Sequence, residues 1–218
     1  QLREIVAAGG VTIGTQGVEQ SHMVLQPAAE AAAELARSRQ RIAAELGVTP
    51  AFFAYPFGEY NNTILEIAGE LGYTGFGQQS GPLAPFSDPR VLPRFPFGGS
   101  YGDRQDFATK VNSLPMPLKA GGEAIRLETA AGESLDDIFP GGPDARPVLI
   151  LEFEEGFDTG RVNCFVSGQG HTPLRIEQNL VYVQAQRALS TGRARYNCTA
   201  GSGQHGRFHW YSQPWIIQ

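Results

Sequence analysis

Short runs of β-forming residues alternate with helical periods through the first 77 residues, and this alternation most constrains the fold. The runs lie at residues 11–14, 52–56 and 74–77, and one amphipathic helical pattern fills each of the two gaps. A strand, helix, strand, helix, strand order at this spacing predicts a parallel α/β layer. A shorter helical pattern at residues 2–8, ended by Gly9 and Gly10, precedes the first run.

The pattern changes after Asn112, where helical periodicity gives way to strand-like alternation. Val162, Cys164 and Val166 fall on one face of a strand. The sequence therefore predicts an α/β domain over residues 1–112 and an all-β, sandwich-like domain over residues 113–218. The strand-like runs of the second half are residues 124–128, 148–153, 161–166, 175–186, 194–200 and 207–215.

Cys164 and Cys198 are the two cysteines of the chain, and both lie on the apolar face of a predicted strand. An even number of cysteines permits one disulfide, whereas two buried thiols are the alternative. We expect the two residues on neighbouring strands, close enough to bridge.

Charge and hydropathy narrow the classes of partner. The formal net charge is -5 and the sequence pI is about 5.4, which gives no basic footprint for nucleic acid or an anionic membrane. No apolar run approaches the roughly 20 residues of a membrane-spanning helix. The chain starts within an apparent helix, with no initiator Met or signal peptide, and we expect it to be a piece of a longer protein.

Two short motifs contain the candidate site residues. The stretch from Gly14 to Met23 places Gln16, Gln20 and His22 just past the first predicted strand, where α/β proteins commonly place their chemistry. The second motif is Tyr55-Pro56-Phe57-Gly58 at the end of the next strand. A Pro and a Gly hold such a turn rigidly. For this fragment alone, the alternative is an ordinary strand that ends in a Pro-Gly turn.

Together these motifs resemble the second and third motifs of the polysaccharide deacetylases, carbohydrate esterase family 4. The family's second motif is His-[Ser/Thr]-x-x-His after a Gly, and its histidines hold a divalent metal such as zinc. Gln16 and Gln20 stand at the two histidine positions, and His22 follows two residues later. The resemblance covers residues 2–94 and implies the C-terminal part of a distorted (β/α) barrel.

The third motif implies catalytic and substrate-binding roles. In the family, the backbone N–H after the motif's proline stabilises the tetrahedral oxyanion, and this assigns that role to Phe57. Tyr55, Pro56 and Gly58 are then the implied substrate-binding residues. Arg94, in Leu92-Pro93-Arg94, resembles a later family element that orients a carboxylate. A surface arginine after a proline is the alternative.

Two departures from the family pattern bear on activity. The family's Thr-Phe-Asp-Asp motif, which supplies the catalytic base and a metal-binding Asp, does not precede Gly14. Asp136-Asp137 lies in the β half, in a context that favours a turn or a helix start. Glutamine is also a poor substitute for imidazole at a zinc-type site. The expected cofactor is therefore a divalent metal for the family, and for this chain the alternative is none.

Two hypotheses follow. In the first, the parent protein is a metal-assisted hydrolase that removes N-acetyl groups from an amino-sugar polysaccharide. In the second, the chain keeps the deacetylase fold without activity and serves as a glycan-binding or structural module. The resemblance implies a secreted, periplasmic or cell-envelope location and an amino-sugar polysaccharide or oligosaccharide as the partner.

Overall fold

The computed structural model describes residues 1–120, 124–142 and 145–218. They divide into two compact units, the first made of residues 1–78 and 87–92 and the second of residues 79–86 and 93–218. The contacts therefore group residues 79–86 and 93–112 with the β-rich half, whereas the sequence groups them with the first domain.

Helices and a small parallel sheet form the first unit. The predicted helices are confirmed, and Asn61 caps the third of them by accepting a hydrogen bond of 2.9 Å from the Ile64 N–H. Gly47 ends the second helix in the left-handed conformation that favours glycine. The elements are α1 (Leu2–Ala8), α2 (Ala28–Leu46), β1 (Phe52–Ala54), α3 (Asn62–Glu70) and β2 (Thr74–Phe76), with short 3-10 helices at Met23–Leu25 and Pro56–Gly58.

Strands β1 and β2 pair in parallel, as the alternating pattern predicts. The strand predicted at residues 11–14 is wrong, because the ladder on that side is a single parallel bridge between Thr15 and Phe53. The Thr15 N–H donates to the Phe52 carbonyl at 2.8 Å, and the Ala54 N–H donates to the Thr15 carbonyl at 2.9 Å. Gly17, at φ 94°, then turns the chain away before a second residue pairs.

Two β-sheets dominate the second unit. One has the strand order β3-β11-β10-β6-β7 and the other β4-β5-β9-β8, and all neighbours are antiparallel except β3 and β11. The elements are α4 (Arg104–Val111), β3 (Leu114–Pro115), β4 (Ile125–Glu128), β5 (Val148–Glu152), β6 (Val162–Val166), β7 (Gly170–Thr172), β8 (Leu174–Glu177), β9 (Leu180–Gln184), β10 (Gly192–Gly201) and β11 (Phe208–Ile217), with 3-10 helices at Gly99–Tyr101 and Thr159–Arg161.

Buried side chains from both sheets form one hydrophobic cluster. Leu149 and Val183 from one sheet and Cys198 and Trp215 from the other are completely inaccessible to solvent. The Tyr196 hydroxyl links the sheets, since it donates to the Pro147 carbonyl at 2.8 Å and accepts from the Ala185 N–H at 3.0 Å. Burial raises the pKa of Tyr196 to about 12. The alternation seen in the sequence correctly separates the two faces of β6, where Val162, Cys164 and Val166 are buried and Asn163 and Phe165 are exposed.

The single strand predicted over residues 175–186 is wrong. Leu174–Glu177 and Leu180–Gln184 form an antiparallel hairpin instead. Gln178, at φ 57°, adopts the left-handed conformation that a tight turn between paired strands requires. No helix among the described residues of the whole chain is long and apolar enough to cross a membrane.

Cys164 and Cys198 are joined by a disulfide bond. They face each other in the register of β6 and β10, with their α-carbons 4.1 Å apart and their sulfurs 2.06 Å apart. Both are fully buried within the core of the second unit. The bond closes a loop with a sequence separation of 34 residues.

Replacing both cysteines by alanine (Cys164→Ala with Cys198→Ala) should lower the free energy of unfolding by about 4 kcal/mol, because the open chain gains loop entropy when it unfolds. Chemical denaturation of both forms measures the difference. Thiol titration of the denatured, unreduced protein is the direct check, and it should detect no free thiol. Detection of both thiols would show that the bond does not form.

Candidate active site

Three segments of the first unit leave the sheet at the same edge. Thr15, β1 and β2 are aligned in parallel, so their carboxyl ends lie at the same edge. The segments that follow these three ends are residues 16–22, 55–59 and 77–78. In open α/β sheets this edge is where ligands bind. Gly58 and Gln78 show the proximity of two of these segments, since a β-carbon on Gly58 would lie 2.5 Å from that of Gln78.

The turn after β1 has an unusual backbone conformation. Phe57 has φ 57° and ψ 3°, and Gly58 continues with φ 73°. A bulky residue in the left-handed region is uncommon and costs roughly 1–2 kcal/mol. Two hydrogen bonds hold the turn, from the Gly58 N–H to the Tyr55 carbonyl at 2.9 Å and from the Glu59 N–H to the Pro56 carbonyl at 3.1 Å. Strained backbone of this kind concentrates at functional sites.

Tyr55 anchors the start of the turn. Its side chain is completely buried, and its hydroxyl donates a 2.7 Å hydrogen bond to the Arg90 carbonyl. Burial raises the pKa of Tyr55 far above its usual value, and the negative charge of Asp88 raises it further. This hydroxyl therefore stays protonated and holds the residue in place. A substrate contact by Tyr55, Pro56 or Gly58 stays a prediction.

His22 and Glu59 form a pair beside this turn. The Nδ1 atom of His22 lies 2.6 Å from Oε2 of Glu59, whose side chain is 7% exposed, compared with 53% for His22. The imidazole also stacks on the Phe57 ring, with centroids 4.4 Å apart and planes 18° apart. Since an ionised carboxylate only accepts hydrogen bonds, Nδ1 carries the proton, and Nε2 is the basic nitrogen of the neutral ring.

Glu34 of α2 holds the loop that precedes His22. Its side chain is only 3% exposed, and it accepts hydrogen bonds from the Glu19 N–H at 3.0 Å and from the Ser21 hydroxyl at 3.4 Å. A β-carbon on Gly17 would lie 2.7 Å from the same carboxylate. The buried carboxylate therefore determines the path of the loop between Gly17 and Ser21.

Thr15 and Ser38 fasten the start of the same loop. Their hydroxyl groups lie 2.5 Å apart, and the Gly17 N–H donates to the Thr15 hydroxyl at 3.1 Å. Both residues are buried. The loop is thus tied to α2 at two points, one at Ser38 and one at Glu34.

The donor set of the predicted metal site does not fit a zinc-type centre. Gln16 and Gln20 contribute neutral amides, and His22 contributes one imidazole that already shares a proton with Glu59. A catalytic zinc takes about three imidazole, carboxylate or thiolate ligands and one water. The part of the chain that the structure describes contains no group of three or more His, Cys, Asp or Glu residues arranged to hold a metal ion.

Arg94 belongs to the second unit, where its N–H donates to the Gln79 carbonyl at 3.0 Å. Its predicted catalytic role stays a prediction.

The sequence motifs single out neither Glu59 nor Glu34. Glu59 directly follows the Pro-Phe-Gly turn as the one charged residue between Phe52 and Tyr60, and this isolated charge is an available signal. Glu34 gives no signal of this kind, because it belongs to an ordinary helical pattern.

Comparison with known families agrees with the motif-based interpretation. Residues 1–76 match the family model for polysaccharide deacetylase. The resemblance that the motifs indicate is therefore confirmed for this part of the chain.

Solved structures give partial alignments. The chain is similar to the Streptococcus pyogenes deacetylase PplD in complex with acetate, with 23% identity and a TM-score of 0.41 over 43% of this chain and 41% of that one. It is also similar to a family 4 carbohydrate esterase from Streptomyces lividans in complex with acetate, with 28% identity and a TM-score of 0.33 over 34% and 39% of the two chains. The BpsB deacetylase domain from Bordetella bronchiseptica aligns at 24% identity and a TM-score of 0.36 over 43% and 46%. The chain thus spans less than half of each matched structure.

The turn at Gly58 allows a sharp test. Gly58→Ala should lower the free energy of unfolding by roughly 2–4 kcal/mol, because it adds a steric clash with Gln78 to the cost of a left-handed alanine. Gly72→Ala is the matched control, since Gly72 has φ 71° and no atom lies within 4 Å of the position that its β-carbon would take. The control should cost only about 1–2 kcal/mol. Equal losses in urea denaturation would mean that the close packing of Gly58 against Gln78 is not formed.

Proposed function

We propose that this chain contributes to a polysaccharide deacetylase-type hydrolase that removes N-acetyl groups from an amino-sugar polymer. The observation that supports it most is the strained Phe57 turn, which lies at the carboxyl edge of the sheet beside the His22–Glu59 pair. The family match over residues 1–76 supports the same function. The reaction adds water to the acetyl carbonyl and releases acetate and an amine.

The Phe57 turn would stabilise the negative charge that develops on the carbonyl oxygen. In this proposal the backbone N–H of Phe57 donates to that oxygen. The turn is already fixed by the buried Tyr55 and by Gly58, so the donor does not have to reorganise during the reaction. Preorganised donors of this kind commonly contribute the largest electrostatic share of catalysis.

His22 would transfer the proton. With Nδ1–H donated to Glu59, Nε2 is the atom that takes a proton from the attacking water and returns one to the departing nitrogen. Its ring stacks on Phe57, so the base and the proposed oxyanion donor lie in the same neighbourhood. Glu59 is a positioning residue here, because it acts through His22. Gln16 and Gln20 do not provide a suitable donor set for the family's metal. The proposed steps therefore use only the chain's own residues.

The wider architecture is proposed on the same grounds. The first unit would be part of the deacetylase's distorted barrel, and the two sheets of the second unit would form a sandwich-like accessory domain. We further propose an amino-sugar polysaccharide as the partner and a secreted, periplasmic or cell-envelope location.

The second candidate function is an inactive deacetylase-fold module, and the exposed glutamines at positions 16 and 20 favour it.

Acetate release from an N-acetylglucosamine hexamer tests the two candidates. If the chain is active, His22→Ala should reduce the rate by about 10²–10⁴-fold, the usual contribution of a general acid–base group. Glu59→Gln should reduce it less and should alter the pH profile, because the imidazole loses its charged partner. No acetate from the folded chain would favour the inactive module.

Matched variants keep this result interpretable. His171→Ala removes an exposed histidine of β7, in the second unit, and should leave the rate unchanged. Circular dichroism of every variant checks that the fold is retained. A folded His22→Ala protein with full activity would contradict the proton-transfer role.

Metal binding gives a separate prediction. The chain should bind zinc weakly, because amide oxygens cannot become anionic and compete poorly with water. The double variant Gln16→His with Gln20→His should bind zinc at least 10-fold more tightly, by analogy with the effect of ligand-shell changes on metal affinity. Metal content after dialysis, measured together with acetate release, checks both forms. Equal zinc in both would mean that these positions are not the metal-facing ones.

A further inference from the structure

A cavity of about 710 Å³ opens in the second unit, and none of its lining residues belongs to the site described above. It is lined by residues 85–86, by residues 114–118 around β3, and by Ala120, Glu154 and His209. Its volume falls within the roughly 300–1,000 Å³ that small-molecule sites occupy. Neither the deacetylase match nor the predicted motifs assign any of these residues.

The walls are apolar and rigid. Phe86 is 37% exposed, whereas Met116 and Leu118 are 1% and 4% exposed. Pro115 and Pro117, which flank Met116 in the chain, also line the cavity, and their fixed φ angles limit its flexibility. A stiff apolar lining of this kind suits the C–H face of a pyranose ring, which is apolar and also rigid.

His209 supplies a hydrogen-bond acceptor. Its Nδ1 lies 2.7 Å from the Pro115 carbonyl oxygen. A carbonyl only accepts, so Nδ1 carries the proton, and in the neutral ring Nε2 is an acceptor. The imidazole and the Phe157 ring also pack nearly perpendicular to each other, with centroids 5.8 Å apart, and this contact supports the imidazole from a second direction.

Glu154 supplies the charge. Among the lining residues that the structure describes, it alone carries a formal charge at neutral pH, and its side chain is exposed. Lys119 lies next to the lining residue Leu118, but its Nζ is 2.6 Å from Glu152. The cavity lining therefore includes one imidazole acceptor, on His209, and one carboxylate, on Glu154, which complement a ligand that combines hydroxyl donors with a cation.

We propose that this cavity binds a de-N-acetylated amino-sugar unit, with its ammonium group against Glu154 and its C–H face on Phe86. The choice of sugar rests on the proposed function, since this unit is the product of that reaction. Binding itself does not require activity. The cavity would hold a deacetylated stretch of polymer in preference to an acetylated one.

Isothermal titration of the intact chain with two hexamers tests the proposal, at a pH at which the sugar amine is protonated. The glucosamine hexamer should bind about two- to fivefold more tightly than the N-acetylglucosamine hexamer, the range that an exposed ion pair supports. Glu154→Gln should remove this preference. Phe86→Ala should weaken the binding of both hexamers by at least threefold.

Two control variants are matched to these changes. Glu155→Gln alters the adjacent exposed carboxylate, and Phe165→Ala removes a comparably exposed aromatic ring of β6; both should bind like the parent chain. A lysine hexamer should bind more weakly than the glucosamine hexamer. Equal or tighter binding of the lysine peptide would overturn the sugar assignment, and so would a glucosamine preference that survives Glu154→Gln. The titrations need no acetate release, so an inactive chain would refute the proposed function without affecting this result.

Discussion

A buried carboxylate on α2 sets the geometry on which the first unit's site depends. Glu34 is 3% exposed and is bonded to the Glu19 N–H and the Ser21 hydroxyl. A buried carboxylate is costly unless hydrogen bonds compensate for the lost water. Any movement of the loop that broke these two bonds would leave Glu34 buried without its donors, and this cost keeps the loop in place. The conformation of the loop that places His22 next to Glu59 therefore depends on its bonds to α2, and not on its local sequence alone.

The fold of the first unit is largely predictable, because helix periods and strand composition act locally. The position of its helices and of β1 and β2 follows from residues a few places apart. The strand at residues 11–14 is different. Its existence would need several successive pairs with β1, and among the described residues the segment makes a single pair, at Thr15. Gly17, which follows this pair, indicates conformational freedom in the sequence, but the sequence does not show that Glu34 and Met23 leave no space for a side chain there.

In the second unit, too, local sequence patterns predict some features and miss others. Period-two alternation identifies which residues are buried, because every second side chain of a half-buried strand faces the core. It does not locate the turn at Gln178, since a hairpin reverses direction without interrupting the run of strand-forming residues. Likewise, Glu59 follows its motif by a single residue, yet its partner His22 lies 37 residues earlier in the chain. Pairs at such separation are made by the fold and have no local pattern.

The chemistry of the candidate site follows from which proton acceptors the fold brings together. A metal centre needs several strong donors that converge on one point, and two neutral amides with one imidazole supply few. A proton-transfer site needs much less, namely one imidazole in a fixed tautomer beside a rigid donor. His22 meets the first condition through the Glu59 carboxylate, and the Phe57 turn offers the second. The left-handed backbone at Phe57 has a conformational cost that the buried Tyr55 and the tightly packed Gly58 offset from either side. In the proposed function, this strained turn and the oriented imidazole beside it would supply the rigid donor and the base that the reaction needs.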